Sequence, residues 1–445
     1  MCSPFNWNEV QYIIVIASFQ RFMQLNLPTA TAIKDKIVLV RVDYNVPLEK
    51  KGDEYRVRDD RRIKASLETI EFLQKHRAKI ILMTHLGRPG GKKVAKLSAK
   101  PVANYLKNKL KLPASFVNDC IGEKVQARVD QLQPGEILLL ENVRFYEQEK
   151  KNDRQFAKQL AALADVFINE AFSSAHRTHA STVGVTKYLP SFAGFQLESE
   201  VSTFCKLMTE PKHPFVILVG GAKISDKVAA LENLLAVADV VLVGGGVANN
   251  FLKADEVEIH KSYLQDTPAD LKKRGINCVK LADKLIKKTK TQKFLKDGYL
   301  PLSKIIYPVD VIAAASPDST KTQLIDLTNG MKDTPHDKNL MYLDIGPKTI
   351  KLFEEIISQA KSVFWNGPMG YFEKKPFKKG TTSIAKTLAE SKATTIIGGG
   401  DTISTISSLN LDNKYTHVST AGGASLLFLA GQTLPALKPL TISCR

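Results

Sequence analysis

The sequence predicts an α/β fold of two similar-sized domains, each built on a mainly parallel sheet. Three observations carry this. Short β-branched runs alternate with longer stretches of helical period, the pattern of α/β proteins. The runs are near-continuously apolar, as in strands buried on both faces of a parallel sheet. A Glu- and Ser-rich helix at 197–208, followed by Pro211 and Pro214, breaks the alternation near the middle before a new apolar strand starts. In chain order, strands are expected at 36–42, 79–83, 136–140, 166–168, 215–219, 240–243, 341–343, 363–365 and 394–397, and helices at 62–74 and 226–236. At roughly 100–200 residues per domain, a chain of 445 residues holds two or three domains, each long enough to bury a core.

With 44% hydrophobic and 24% charged residues, the chain is neither disordered nor collagen-like. The net charge of +18 suits anionic partners. Much of it lies in the Lys-rich stretch 272–304, which reads as a solvated face. No basic run is interleaved with the aromatics that single-strand binding requires, so no specific nucleic-acid partner is expected. The cysteines (Cys2, Cys120, Cys205, Cys278 and Cys444) are odd in number, scattered and without C-x-x-C. That pattern points to reduced thiols in the cytoplasm. Residues 12–19 (YIIVIASF) are apolar but well short of the roughly 20 residues of a membrane span. Arg21 follows this run, whereas a signal peptide carries its basic residues first. Residues 1–30 read as an N-terminal extension, with Met23 as an alternative start, and no membrane partner is expected.

In open α/β sheets, ligands bind beyond the carboxyl ends of the strands. The first strand continues as RVDYNVP, and period two puts Arg41, Asp43 and Asn45 on one side. They form either a ligand site or an Arg41–Asp43 ion pair that closes the strand end. THLGRPGG (84–91) sets His85 and Arg88 on a turn; ENVRF presents Arg144; AHRTH presents His176, Arg177 and His179; Arg62 opens a helix after Asp59 and Asp60. Arginine offers a planar donor fork matched to phosphate. One such arginine reads as a surface ion pair; four in one domain read as an anion site. His176 and His179 lack further ligands at metal spacing, so zinc is not expected.

In the second half the strand ends are Gly-rich. GGAKISDK (220–227) is expected to open a helix, with Lys223 and Lys227 on one face, and helix N-termini bind anions. GGG (244–246), WNGPMGYFE (365–373) and GGGDT (398–402) follow other strands, and Asp401 supplies a carboxylate suited to Mg2+. The sequence contains neither G-x-x-x-x-G-K-[ST] nor a G-x-G-x-x-G opening a βαβ unit, which argues against a P-loop enzyme and a dinucleotide dehydrogenase. The residues thus describe one domain with an Arg/His anion site and one with a Gly/Lys/Asp nucleotide site.

RVDYNVP, DRRIKAS, THLGRP, LLLENVRF, NEAFSSAHRTHAS, GGAKISDK, WNGPMGYFE, GGGDT and STAGGAS stand in the order and with the spacing of phosphoglycerate kinases, and residues 36–434 resemble that family. The resemblance implies two Rossmann-like domains joined by a helix across a cleft. They would be an N-domain at 31–196 for phosphoglycerate, a connecting helix at 197–210, a nucleotide-binding C-domain at 211–425, and a segment at 426–445 returning to the N-domain. It implies reversible phosphoryl transfer from 1,3-bisphosphoglycerate to ADP, giving 3-phosphoglycerate and ATP, by a monomeric, Mg2+-dependent enzyme that closes about a hinge. Asp43 and Asn45, flanking Tyr44, would hold the glycerate hydroxyl and carboxylate side. His85, Arg88, Arg144 and Arg177, with His176, Leu86 and Gly87 beside them, would form the basic patch for the phosphate that stays on the substrate. Arg62 and Lys223 would accompany the phosphoryl group in flight. Lys227 would hold nucleotide phosphates, Asp401 the Mg2+, Thr402 a phosphate and Glu373 the ribose. Asn366, Pro368, Gly220, Gly221, the 244–246 turn with Gly245, Gly399 and Gly400 would shape the nucleotide pocket.

The sequence departs from the family pattern at Glu170 and Ser173, where Asp and Gly are usual, and at Ala421 and Ala430, where Gly and Glu are usual. Alanine at 421 is costly if φ must be positive. Residues 255–304 fit the family pattern poorly. Two other readings compete: an inactive relative used as a binding scaffold, and another two-domain kinase for a small phosphorylated acid. The presence of Arg62, Lys223, Glu373 and Asp401 together favours an enzyme.

Overall fold

A computed structural model describes residues 23–225, 227–265, 277–290, 304–328 and 338–442. The apolar run at 12–19, and residues 272–276 and 291–303 of the Lys-rich stretch, lie outside the described residues. Lys206–Gly431 form one compact unit, and the described residues before and after it form the other. The helix Phe195–Thr209 runs across that boundary.

The first unit is built on a six-stranded sheet in the order Ala114–Phe116, Ile137–Leu139, Lys79–Met83, Ile37–Arg41, Val166–Asn169, Ser191–Ala193. Every pairing in it is parallel. Alternate side chains of one strand feed two cores. Val38 and Val40 join Ile80, Leu82, Ile137 and Ile168 on one face; Leu39 joins Ile81, Met83, Leu138 and Phe167 on the other. Both faces are therefore dry, which is why the strands lack a polar alternation. The C-terminal chain also belongs here: Asn26 N–H donates to the Leu440 carbonyl at 2.8 Å and Ala436 N–H to that of Ala175 at 3.0 Å, beside a Leu25–Thr441 bridge.

The second unit has a six-stranded sheet in the order Ile305–Ile306, Val240–Val243, Phe215–Val219, Ser362–Asn366, Thr394–Gly398, His417–Val418, again all parallel. The helix Gly423–Leu429 lies in this unit, where Asn233 Nδ2 donates to the Leu429 carbonyl at 3.1 Å.

Three sequence expectations need correction. The run at 341–343 is part of a strand, Met341–Ile345, but it pairs antiparallel with Asp310–Ala314 in a separate three-stranded sheet. Met341 and Leu343 point to its partly exposed side while Tyr342 is buried, so apolar composition concealed a half-exposed strand. The helix expected at 62–74 is two, Arg61–Lys64 and Leu67–Lys75. Between them Ser66 Oγ donates to the Ile63 carbonyl at 2.8 Å and meets the Tyr44 hydroxyl at 2.8 Å, a local bond that competes with the helix ladder. Finally, the helix after GGAKISDK begins at Val228. Lys223 therefore sits on a turn, and the two lysines do not share a helix face; Lys227 Nζ donates to the Lys223 carbonyl at 3.5 Å.

Candidate functional site

In the first unit the chain leaves four neighbouring strands at one edge of the sheet, since Arg41 is level with Met83 and with Asn169, and Leu82 with Leu139. Residues 42–45, 84–88, 140–144 and 170–177 meet there, at the point where the strand order reverses on either side of Ile37–Arg41.

Asp43 pairs with Arg62, Nη1 to Oδ2 at 2.5 Å, and the same oxygen accepts the Ser173 hydroxyl. The alternative of an Arg41–Asp43 closing pair is thereby replaced. Arg41 is instead 1% exposed, with Nε donating to Ser181 Oγ at 2.9 Å and Nη2 bonding His85 Nδ1 at 2.9 Å. Ser181 in turn donates to the buried Glu149 through Oγ at 2.6 Å and N–H at 2.9 Å.

This buried chain fixes the state of His85. Burial, and then the charges of Arg41, Arg144, Arg177 and Arg62, hold its pKa well below the usual histidine range. Guanidinium has no acceptor, so Nδ1 must accept and Nε2 carries the proton. His85 is a neutral donor for an anion. Arg144 donates through Nη1 to the Gly87 carbonyl at 2.7 Å, while its Nε is buried with no hydrogen-bond partner among the described residues. Burial and the neighbouring Arg177 and Arg41 lower its pKa to about 10. Arg177 donates to His176 Nε2 at 3.0 Å, and its own pKa is lowered by burial and by Arg88, which is exposed. Burial and Arg177 also lower the pKa of His176. Asn45 Oδ1 accepts the Gly87 N–H at 2.8 Å, tying two strand ends together.

Tyr44 and Leu86 are placed otherwise than as ligand-facing side chains. Both are buried in the core, so they serve the site through backbone alone; Tyr44 N–H, for instance, donates to Thr84 Oγ1 at 2.9 Å. Sequence reasoning left out Glu149, Ser181 and the supporting role of Arg41. Glu149 sits in EQEKK, which looks like a solvated run, and only its contact with Ser181, 32 residues away in sequence, reveals its role.

In the second unit the ends of Phe215–Val219, Val240–Val243, Ser362–Asn366 and Thr394–Gly398 gather at the corresponding switch point. Three turns interlock by backbone: Gly221 N–H donates to the Pro368 carbonyl at 2.7 Å, Gly245 N–H to that of Met369 at 2.8 Å, and Val247 N–H to that of Gly221 at 3.0 Å. A Cβ at Gly220 would stand 2.1 Å from the Pro368 oxygen, and one at Gly367, where φ is +98°, would stand 2.3 Å from the Gly220 oxygen. Asn366 Nδ2 is buried beside this junction with no hydrogen-bond partner among the described residues. Lys223 and Glu373 are exposed and Lys227 is partly exposed.

Thr402, expected to contact phosphate, is fully buried, and its hydroxyl accepts the Gly367 N–H at 2.7 Å. It shapes the turn. Asp401 is exposed in the first turn of the helix Gly400–Ser408, capped by Gly399. Among the described residues no three His, Cys, Asp or Glu side chains cluster as metal ligands. A lone hard carboxylate still fits Mg2+, which keeps several waters and takes one or two carboxylates plus substrate phosphates. Ala421 does not have a positive φ; its N–H donates to Ser419 Oγ at 3.1 Å, so alanine is unstrained there.

The family model described as "Phosphoglycerate kinase" matches residues 29–432. The phosphoglycerate kinase of Pelotomaculum thermopropionicum is 44% identical over 411 residues, covering 92% of this chain and 97% of the relative. The solved structure of phosphoglycerate kinase from Coxiella burnetii matches with a TM-score of 0.73 at 37% identity, covering 92% of this chain and 96% of that one. That of the Pyrococcus horikoshii phosphoglycerate kinase matches at 0.76 and 30%, with the same coverage. The two parallel sheets are thus Rossmann-like in kind as well as in topology, and the chain belongs to the phosphoglycerate kinase family.

Proposed function

We propose that this chain reversibly transfers a phosphoryl group from 1,3-bisphosphoglycerate to ADP, giving 3-phosphoglycerate and ATP, as a glycolytic phosphotransferase with a carboxyl group as acceptor. The observation that carries this reading is the set of arginines in the first unit. After burial, the charges of Arg177, Arg41 and Arg88 lower the pKa of Arg144, and that of Arg88 lowers the pKa of Arg177, so the strand ends hold more positive charge than their own carboxylates offset. A dianionic phosphate relieves that repulsion.

Within this reading, Arg88, Arg144, Arg177 and the Nε2–H of His85 hold the phosphate that stays on the substrate. Asp43 accepts the glycerate hydroxyl, with Asn45 beside it. Lys227, Asn366 and the turns at 220–221, 244–246 and 399–400 hold the nucleotide, with Glu373 at the ribose. Asp401 would hold a Mg2+ ion brought with the nucleotide, which would supply charge neutralisation. Arg62 and Lys223 stabilise the charge that spreads over the transferring oxygens, where most of phosphoryl-transfer catalysis lies. The acceptor in either direction is an anionic oxygen, so no side chain has to remove a proton. In-line transfer needs the reacting atoms about 3–3.5 Å apart, and closure of one unit toward the other about the helix Phe195–Thr209 supplies that approach. The enzyme works as a cytoplasmic monomer with small-molecule partners; no described helix is long and apolar enough to cross a membrane.

The test is a coupled assay with 3-phosphoglycerate and Mg-ATP. Turnover is expected at millimolar substrate, and folded protein without activity above background overturns the reading. Closure is tested by solution scattering, which should give a smaller radius of gyration with both ligands than with either alone. Equal dimensions in all ligand states count against it.

A further inference from the structure

The carboxylate of Asp43 is nearly buried, at 7% exposure, and its two oxygens are treated unequally. Oδ2 accepts both Arg62 Nη1 and the Ser173 hydroxyl. Among the described residues, Oδ1 accepts only the N–H of Asn45, at 3.4 Å. A carboxylate oxygen offers two lone-pair directions, so Oδ2 is filled and Oδ1 is not. The two donors arrive from different elements: Arg62 from the short helix Arg61–Lys64, Ser173 from the turn Phe172–Ser174 beyond the strand Val166–Asn169. Held from both sides, the carboxylate cannot rotate to exchange its oxygens without breaking a bond.

We propose that Ser173 is a positioning residue for the substrate: by occupying Oδ2 together with Arg62, it keeps Oδ1 of Asp43 turned to the ligand as the acceptor for a hydroxyl on the substrate's carbon chain. The inference rests on the proposed function, because it takes Asp43 as the acceptor for the glycerate hydroxyl. It also accounts for how Arg62 can leave Asp43 to meet a transferring phosphoryl group. A buried carboxylate stripped of its donor is costly, and Ser173 leaves Oδ2 with one donor when Arg62 departs.

Calorimetric titration tests this without requiring turnover. The ligands are 3-phosphoglycerate, the analogue lacking its hydroxyl (3-phosphooxypropionate) and ADP, each titrated into the full chain and its Ser173→Ala and Ser173→Thr variants. Removing the serine hydroxyl should weaken 3-phosphoglycerate about three- to tenfold, the size of one hydrogen bond's net contribution. The analogue and ADP should bind both proteins equally, and Ser173→Thr should restore the native affinity. Unchanged 3-phosphoglycerate affinity in Ser173→Ala overturns the proposal, as does an equal loss for the analogue, which would signal a general structural defect. Neither result touches the proposed function, which stands or falls on turnover by the native protein. A native chain that binds 3-phosphoglycerate no better than the analogue overturns the role of Ser173 directly.

Discussion

Glu170 puts a titrating group at the start of the helix that crosses between the two units. Its carboxylate accepts the Thr69 hydroxyl at 2.5 Å and the Gln196 N–H at 3.2 Å through Oε1, and the Leu197 N–H at 3.4 Å through Oε2. These bonds and the helix N-terminus favour the ionised form, but the side chain is 3% exposed, and burial wins, pushing the pKa from 4.5 up to about 7. The folded pKa thus lies above the unfolded one. The folded chain therefore holds this proton more tightly than the unfolded chain, and the associated stability is present at low pH and lost as pH rises through the window from 4.5 to about 7. Raising the pKa from 4.5 to about 7 corresponds to about 3 kcal/mol in full, of which about 2 kcal/mol falls between pH 5.5 and pH 8. Glu170→Gln cannot ionise and removes this dependence, while other titrating groups contribute equally to both proteins and cancel in the difference. Urea titrations of both proteins at the two pH values should show the variant gaining about 2 kcal/mol on the native chain at the higher pH. A difference that does not vary with pH, or one that moves toward the native chain as pH rises, refutes the reasoning.

Arg62→Ala should cut turnover about 10²–10³-fold, as loss of one transition-state donor does, with ADP affinity unchanged, because Arg62 belongs to the first unit; a parallel loss of ADP binding in titration would contradict this. Arg41→Met strips a cation from the fully buried Glu149 and should destabilise the chain by about 3–5 kcal/mol while also weakening 3-phosphoglycerate binding, so denaturation unchanged from the native protein would dismiss the buried Glu149–Ser181–Arg41–His85 chain. Gly220→Ala forces a Cβ to within 2.1 Å of the Pro368 carbonyl and should cost about 1–3 kcal/mol in stability and reduce nucleotide binding with phosphoglycerate binding retained; normal ADP affinity in calorimetry would show that the junction does not shape the nucleotide site.

Much of the fold was legible because both main sheets are parallel and buried on both faces. Strands such as Phe215–Val219, and Lys79–Met83 after its opening lysine, are continuous apolar runs, which few other environments produce. The elements that escaped are those whose pairing is local or half-exposed. The antiparallel hairpin Leu48–Lys51 with Glu54–Val57 is mostly charged and exposed. The strand Gln323–Asp326 buries mainly Ile325, and Ser191–Ala193 is too short to show a period. At the candidate site, the groups that face outward from strand ends carried a sequence signal, since Arg62, His85, Arg88, Arg144 and Arg177 cluster in positions that a core would not choose. The groups behind them did not. Ser173 looks like any small turn residue, and Glu149 like surface charge, until the fold brings one to Asp43 and the other to Ser181.

The glycines show why the same motif can be read correctly in outline and too generously in detail. Gly-rich strand ends suggested close approach of backbone to phosphate, yet at Gly220 and Gly367 the close neighbour is the chain itself, with each turn's carbonyl filling the space a Cβ would need. Those two glycines would be required in a protein that bound nothing. Gly400 is different. It opens the helix Gly400–Ser408 next to Asp401, and beyond its chain neighbours and its own helix's backbone nothing in the described chain lies within 4 Å of where its Cβ would be. Packing within the chain therefore gives no reason for glycine at 400, whereas a phosphate drawn to the helix N-terminus would need that space. Within the proposed function, the first place to seek phosphate contacts in the second unit is therefore 399–401, with the 220–221 and 366–369 turns contributing chiefly through the backbone frame that places Asn366 and the lysines.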